Sequence, residues 1–352
     1  MSDSSAIEWT DATWNPSTGC TKISPGCLHC YIDTTPPFRM AGRKFVHGKT
    51  DLQLHLDRLD KPLHWRKPKR VFVNSLSDLF HEDVSDEFIA AVFGVMCACP
   101  KHTFQVLTKR AQRMHDWVAK MNKAGGLGVY IRCHEGRSAL RGLFDSVART
   151  ETVNGEIKRR LDDPWMQVMN GAGCNYGPSP LWNVWLGVSC EDQQRADERI
   201  PWLLKTPAAV RFVSAEPLLG PLQFTKLPAP KELQRSINGG LCYDALKDNA
   251  DRFFEPDHRL GWVIVGGESG PGARPCRVEW ILSIVEQCKA AGVACFVKQV
   301  GSHPVARGAS RGDHYEENDL RKLWRMIDKK GGDMAEWPEA LRVREYPSIP
   351  VS

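Results

Sequence analysis

The segment TGCTKISPGCLHCY, residues 18–31, places Cys20, Cys27 and Cys30 within eleven residues, the last two as a C-x-x-C pair. What such sulfurs do depends on how many of them meet. Two make a disulfide, and four close a structural zinc site. Three is the odd case. A cubane iron–sulfur cluster takes one thiolate per iron, so three thiolates leave one iron with an open position. S-adenosylmethionine can fill that position through its amino and carboxylate groups, and an electron from the cluster then cleaves the sulfonium to an adenosyl radical. Gly19, Pro25 and Gly26 let this loop turn sharply enough to aim the sulfurs inward.

Zinc is the competing reading. His29 lies between Cys27 and Cys30, and Cys133, His134 or Cys174 would complete a tetrahedral set. Zinc ribbons usually show two separated C-x-x-C knuckles, however, and the twelve cysteines supply no second one. Cys97, Cys99, Cys288 and Cys295 sit in or beside apolar stretches and read as packing.

A loop of this kind needs a scaffold. Short apolar runs alternate with helix-length amphipathic stretches: RVFVNSLSD (70–78), TFQVLTKR (103–110), NVWLGVSCED (183–192), AVRFVSAEP (209–217), GWVIVGGESG (261–270) and VACFVKQVG (293–301), with a further strand near ATWNPS ahead of the cysteines. Runs of Val, Ile and Phe four to six residues long suit strands buried on both faces. Alternation with helices implies parallel strands. The expectation is an α/β fold, a complete or partial (β/α) barrel of six or seven parallel strands, with a doubly wound open sheet as the alternative. Two long insertions, at about 124–182 and 226–260, interrupt a barrel spanning 1–304, and residues 305–352 form a C-terminal helix (ENDLRKLWRMIDKK) and tail.

Each run turns polar at its C-terminal end: Asn74, Ser75 and Asp78; Thr108, Lys109 and Arg110; Ser189 and Glu191; Ser214 and Glu216; Glu268 and Ser269; Lys298 and Gln299. In a parallel barrel these ends share one face, where active sites are built. Helix caps also recruit polar residues to such turns. The collection as a whole points to a site.

The balance of 47 basic against 42 acidic side chains permits an anionic partner without demanding one. The basic segment HWRKPKR (64–70) suits a phosphate backbone, with Trp65 for stacking, or a solvated helix end. Trp9 and Trp14 are further candidates for base contact, although most of the twelve tryptophans read as core. The first residues lack the pattern of a signal peptide, and FIAAVFGVMCAC (88–99) is too short for a membrane span. A cytoplasmic protein with no membrane partner is expected, with reduced thiols. No Walker loop and no G-x-G-x-x-G follows an early strand, which argues against a P-loop or dinucleotide fold.

IEWTDATWNPSTGCTKISPGCLHCY, VFVNSLSDLFHEDV, HTFQVLTKR, VWLGVSCEDQQRADERIPWLL, VRFVSAEPLLGP and WVIVGGESGPGARP together give a sequence that resembles the phage-associated three-cysteine-motif branch of the radical S-adenosylmethionine enzymes, distantly similar to spore photoproduct lyase. The common spacing in those enzymes is C-x-x-x-C-x-x-C, whereas this chain has C-x6-C-x-x-C. The resemblance implies a 4Fe–4S cluster on Cys20, Cys27 and Cys30, with S-adenosylmethionine on the open iron. It implies cofactor contacts from Asn74, Ser75 and Asp78 (the methionyl amino group), from Lys109, and from Ser189, Glu191, Ser214 and Glu216 (ribose and carboxylate). Gly266 and Gly267 would pass close to the adenine or substrate. Glu268 joins this face, although its GGES block follows a late strand rather than the second. Cys190 and Tyr31 are candidate hydrogen donors. The implied reaction is isomerisation of an amino-acid-modified thymidine during phage DNA hypermodification, in the host cytoplasm, with a flavodoxin or ferredoxin as external electron donor. A photoproduct-type repair lyase is the second option, and a non-catalytic, zinc-stabilised nucleic-acid-binding module the third.

Overall fold

The structure is a computed structural model and describes residues 5–123, 181–228, 242–248, 258–306 and 326–348. Seven strands form one parallel sheet: β1 (Ala12–Trp14), β2 (Arg70–Val73), β3 (Thr103–Thr108), β4 (Val184–Ser189), β5 (Val210–Ala215), β6 (Trp262–Gly266) and β7 (Ala294–Gln299). Their order in the sheet is their order in the chain. The winding therefore never reverses, as it must in a doubly wound sheet, and that alternative is removed. β1 and β7 are the ends of the order, so the sheet is a curled half-barrel rather than a closed one.

Residues on β4 and β5 are buried without exception, which is why those strands read as unbroken apolar runs rather than as alternation. The crossovers carry α1 (Asp86–Ala98), α2 (Ala111–Lys123), α3 (Gln193–Lys205) and α4 (Val278–Ala291). Ser85 caps α1 by accepting the Phe88 N–H at 3.3 Å, with Asp86 and Glu87 in the first turn against the positive end of the helix. α4 stops at Gly292, whose φ of +64° is the left-handed conformation that glycine adopts without strain.

The chain divides into two compact units. One holds Met1–Thr21, Ile32–Trp185 and Thr206–Ala209; the other holds Lys22–Tyr31, Leu186–Lys205 and Val210–Ser352. In the first unit β1 pairs β2 from Ala12 against Val71, and β2 pairs β3 from Arg70 against Thr103. In the second, Trp262 pairs both Phe212 and Ala294, and the β6–β7 register slips between Val265 and Gly266. Such a bulge re-aims the chain as the strand ends. The outer edge of β7 is covered: Val297 donates to the Val343 carbonyl at 2.8 Å and Glu345 to the Cys295 carbonyl at 2.8 Å. A paired edge offers no template to another chain.

Residues 326–348 belong to the second unit, so the expected division at 304/305 does not coincide with either unit. Of the expected helix ENDLRKLWRMIDKK, residues 326–330 are bend and turn, and the remainder lies outside the described residues. Of the insertion at 124–182 only residues 181 and 182 are described; Cys133, His134 and Cys174 are not. The other insertion contributes a two-stranded antiparallel piece, Leu227–Pro228 with Cys242–Tyr243. Among the described residues no helix is long and apolar enough to cross a membrane.

Gly187 on β4 shows how tightly the second unit is packed. A Cβ there would lie 2.5 Å from the Phe212 ring of β5. Overpacking of this kind costs about 1–3 kcal/mol. Gly187→Ala is expected to lower the denaturant midpoint by that amount of stability with an unchanged m-value, measured by urea unfolding.

Candidate functional site

The first unit presents Cys20 and the ends of β1, β2 and β3. The Cys20 N–H donates to Thr50 Oγ1 at 3.0 Å, its carbonyl accepts the Thr50 N–H at 2.9 Å, and its half-buried thiol lies 3.6 Å from the Thr21 carbonyl. Small polar side chains stitch the two strand ends together. Asn15 Oδ1 accepts the Leu76 N–H at 2.9 Å, Ser17 and Ser77 hydroxyls meet at 2.9 Å, and Asn74 Nδ2 donates to Ser17 Oγ at 3.1 Å. Ser75 is drawn into the same seam by Asn15. Asn74 has φ +59°, a left-handed conformation that asparagine tolerates better than most residues. Its Oδ1 is buried with no hydrogen-bond partner among the described residues, an acceptor of the kind a bound ammonium would satisfy.

Asp78 is occupied by the protein itself. One oxygen accepts from Phe80 N–H (3.0 Å) and Thr108 Oγ1 (2.7 Å), the other from Lys109 N–H (3.1 Å) and Arg110 Nη1 (3.1 Å). Lys109 thus meets Asp78 through its backbone. Burial works against the Arg110 charge, but Asp78 and Glu82, with Cys20, raise its pKa so that the guanidinium stays charged. Thr21 Oγ1 meets the buried His81 Nε2 at 2.8 Å.

The second unit presents Cys27 and Cys30. A 3-10 turn, Pro25–Cys27, buries Cys27, whose sulfur lies 3.7 Å from Ser24 Oγ; Cys30 is half-buried. This turn rests on the ends of β4 and β6. Glu191, wholly buried, accepts the Gly26 N–H at 3.0 Å with one oxygen and Arg199 Nη1 at 3.0 Å with the other. Arg199 also donates to the Ser189 carbonyl at 2.6 Å. Glu268 faces His29, its Oε2 3.1 Å from Nδ1, and is gripped by Arg274 through Nη2 (2.6 Å), Nε (2.9 Å) and the backbone N–H (2.9 Å). Burial opposes ionisation of Glu268, but the donors from Arg274 and His29 overcome it and hold the pKa at about 2. An ionised carboxylate only accepts, so His29 carries its proton on Nδ1. The third Arg274 guanidinium nitrogen, Nη1, donates to the Pro25 carbonyl at 2.9 Å.

The other expected residues fall into two groups. Ser214 donates to Glu216 Oε2 at 3.2 Å, and Lys298 at the end of β7 pairs with Glu216 Oε1 at 3.1 Å. Gly266 and Gly267 are indeed places of close approach, but the neighbours are protein. A Cβ at Gly266 would lie 2.8 Å from Glu216 Oε1, and one at Gly267 2.3 Å from the Val300 carbonyl. Cys190 is fully buried with its sulfur 3.7 Å from the Arg195 carbonyl on α3, while Tyr31 is half exposed. The three tryptophans proposed for base contact are buried: Trp9, Trp14, whose Nε1 donates to the Arg58 carbonyl, and Trp65, with Lys69 over its ring and His102 at its edge. None offers a face for stacking.

Arg199, Arg274 and Lys298 carry the second unit's electrostatics, and sequence reasoning passed over the two arginines. Arg199 had a signal. In QQRADERIPWLLK it shares the buried face of α3 with Ala196, Ile200 and Leu203, where a charge needs a partner. Arg274, in the loop GPGARP, had none.

Three sulfurs and no carboxylate on one loop are the right donor chemistry for an iron–sulfur cluster. Among the described residues, however, no group of three or more His, Cys, Asp and Glu side chains is arranged to hold a metal ion. The chain belongs to the DUF5131 family. That family's model, described as a protein of unknown function, matches residues 4–333, from ahead of β1 to beyond β7. No curated protein and no solved structure matches the chain.

Two outcomes follow from the ion pairs. Asp78→Ala strands the Arg110 guanidinium, 9 % exposed, beside Glu82 alone; a loss of about 3–5 kcal/mol is expected in urea unfolding. Glu268 titrates near 4.5 when unfolded and near 2 when folded. Its stabilising contribution is therefore complete above pH 4.5 and lost as pH falls through 2. Glu268→Gln is expected to flatten the acid limb of the stability–pH curve between those values.

Proposed function

We propose that this chain is a radical S-adenosylmethionine enzyme in which Cys20, Cys27 and Cys30 are the ligands of a 4Fe–4S cluster. The observation that carries the reading is a loop with three thiols directly after the first strand of a parallel half-barrel whose strands end in polar residues. When bound, the cluster and S-adenosylmethionine supply an adenosyl radical that abstracts hydrogen from an unactivated carbon.

The chain's own side chains bind and orient. The Ser24 hydroxyl beside Cys27 suits a thiolate, to which it donates. Asn74 Oδ1, buried and unpartnered among the described residues, suits the methionyl ammonium. Ser75 lends its place at the same strand end. Asp78, Lys109, Glu191 and Glu268 act one step removed, by holding the strand ends and the cysteine turn. Glu216, with Ser214 and Lys298, offers a paired charge at the ends of β5 and β7. The resemblance assigns Ser189, buried at the end of β4, to the cofactor as well. Cys190, buried against α3, and Tyr31, next to Cys30, remain the candidates for returning hydrogen.

For the substrate we propose an amino-acid-modified thymidine, rearranged during phage DNA base hypermodification, with a photoproduct-type repair lyase as the alternative reaction. This part rests on the resemblance of the motifs. The enzyme would work in the reducing cytoplasm of the host, drawing electrons from a flavodoxin or ferredoxin.

One contact favours a second reading, a zinc-stabilised nucleic-acid-binding module. A histidine that donates Nδ1–H to a carboxylate presents Nε2 as a base, the arrangement found in metal-ligating histidines, and His29 does this toward Glu268.

Anaerobic purification, iron and zinc analysis, and electron paramagnetic resonance of the reduced protein separate the two. A cubane signal that changes on adding S-adenosylmethionine and vanishes in Cys27→Ala is the expected result. Stoichiometric zinc, with no iron signal after reconstitution with iron and sulfide, would sink the radical reading.

A further inference from the structure

Pro25 C=O and Gly26 N–H are the two ends of one peptide group, and the second unit holds both. Arg274 Nη1 donates to the carbonyl at 2.9 Å, and Glu191 Oε1 accepts the N–H at 3.0 Å. A third grip lies three residues on, where His29 meets Glu268. The grips bracket Cys27 and end one residue short of Cys30. Each carboxylate is in turn fixed by an arginine, Glu191 by Arg199 and Glu268 by Arg274, and the four residues come from the ends of β4 and β6 and from the segments that follow them.

This is an expensive way to hold a turn. Buried ion pairs repay little of their desolvation, and apolar contacts would fasten the loop at lower cost. What hydrogen bonds at both ends of a peptide add is direction: the Pro25–Gly26 plane can no longer rotate, so the backbone leading into Cys27 is set. The residue type at position 26 obeys the same constraint. A Cβ on Gly26 would lie 2.9 Å from Glu191 Cδ and 3.1 Å from Oε1, so any other residue would push the peptide off its acceptor.

We propose that Glu191 and Glu268, each locked by its own arginine, are positioning residues that preset the turn carrying Cys27 and Cys30 before any metal arrives. The proposal rests on the reading of these two cysteines as ligands. It gives the strand-end carboxylates a role in assembling the site rather than in touching the cofactor, in the manner of outer-shell groups that orient metal ligands.

The test uses full-length apo protein. Iodoacetamide labelling is followed over time by mass spectrometry at Cys27, Cys30 and Cys288, the last being a fully buried thiol on α4 that reports global opening. Glu191→Gln, Glu268→Gln and Arg274→Ala are each expected to raise the Cys27 rate roughly 10- to 100-fold, the scale set by losing a charge-assisted hydrogen bond, with Cys288 unchanged. Gly26→Ala is expected to raise the Cys27 rate in the same range, and to add nothing in a Glu191→Ala background, because its Cβ acts only through that carboxylate. Wild-type rates at Cys27 and Cys30 in the carboxylate variants overturn the proposal. So does a parallel rise at Cys288, or full additivity of Gly26→Ala with Glu191→Ala. Iron and sulfide content after anaerobic reconstitution is measured on the same samples. If wild-type protein takes up neither, the cluster reading fails on its own, and the labelling rates still decide the positioning role.

Discussion

A carboxylate taken out of water must be met by donors, or its burial costs more than the fold can spare. The second unit meets this constraint twice within a short stretch of backbone: Glu191 and Glu268 each face an arginine on one side and the cysteine turn on the other. Most of what is specific here follows from that. The turn needs glycine at position 26 because a carboxylate lies beneath it, and α3 must accept a buried arginine on its apolar face. The chain after β6 must double back so that Arg274 reaches both Glu268 and Pro25. A loop of ten residues is thereby tied to segments more than 160 and 230 positions away in sequence.

The first unit solves the same problem with one carboxylate. Asp78 gathers donors from its own loop and from the end of β3, and its charge is returned by Arg110, which in turn faces Glu82. Both units therefore use strand-end acids as internal struts. An aspartate or glutamate at the end of a barrel strand is ordinarily read as a catalytic or binding group. Here the hydrogen-bond geometry divides those acids. Asp78 and Glu268 each accept four hydrogen bonds from protein donors, and Glu191, wholly buried, accepts one on each oxygen. Glu216 is held by one lysine and one hydroxyl, and lies against a glycine that leaves it room. Asn74 keeps a buried acceptor with no partner among the described residues. Groups with unspent hydrogen-bonding capacity are the ones able to serve a ligand.

Each strand starts within one residue of the apolar run that announced it and ends two to five residues before the run does. Strands buried on both faces announce themselves as unbroken apolar runs, and β4 and β5 are of this kind. Open closure was not legible, since alternation has the same period in a barrel and in a sheet. The C-terminal tail was misread at residues 326–330, where helical spacing of apolar residues gives way to a turn that loops around the Asp328 carboxylate. The site was legible in its residue types but not in its pairings. The distance in sequence from Gly26 to Glu191 carries no periodic signal, and the glycines of GGES looked like room for a ligand when they are room for Glu216 and Val300. The tryptophans follow the reading of most of them as core: an indole is large enough that burial usually wins over display.

These pairings bear on what kind of protein this is. Arg110, Arg199 and Arg274 serve acids of the protein itself, and Trp65, beside the basic run 64–70, is buried beneath Lys69. Stability alone does not explain these pairings, because ion pairs buried to this degree are weak stabilisers compared with apolar packing. What they supply is fixed orientation of backbone and of thiol-bearing turns. That is the requirement of chemistry in which reacting atoms must be held within a fraction of an ångström, and a binding surface that tolerates adjustment has much less use for it. The economy of the second unit, two acids and two arginines spent on one turn with two cysteines, is the physical ground on which a catalytic reading of that turn stands.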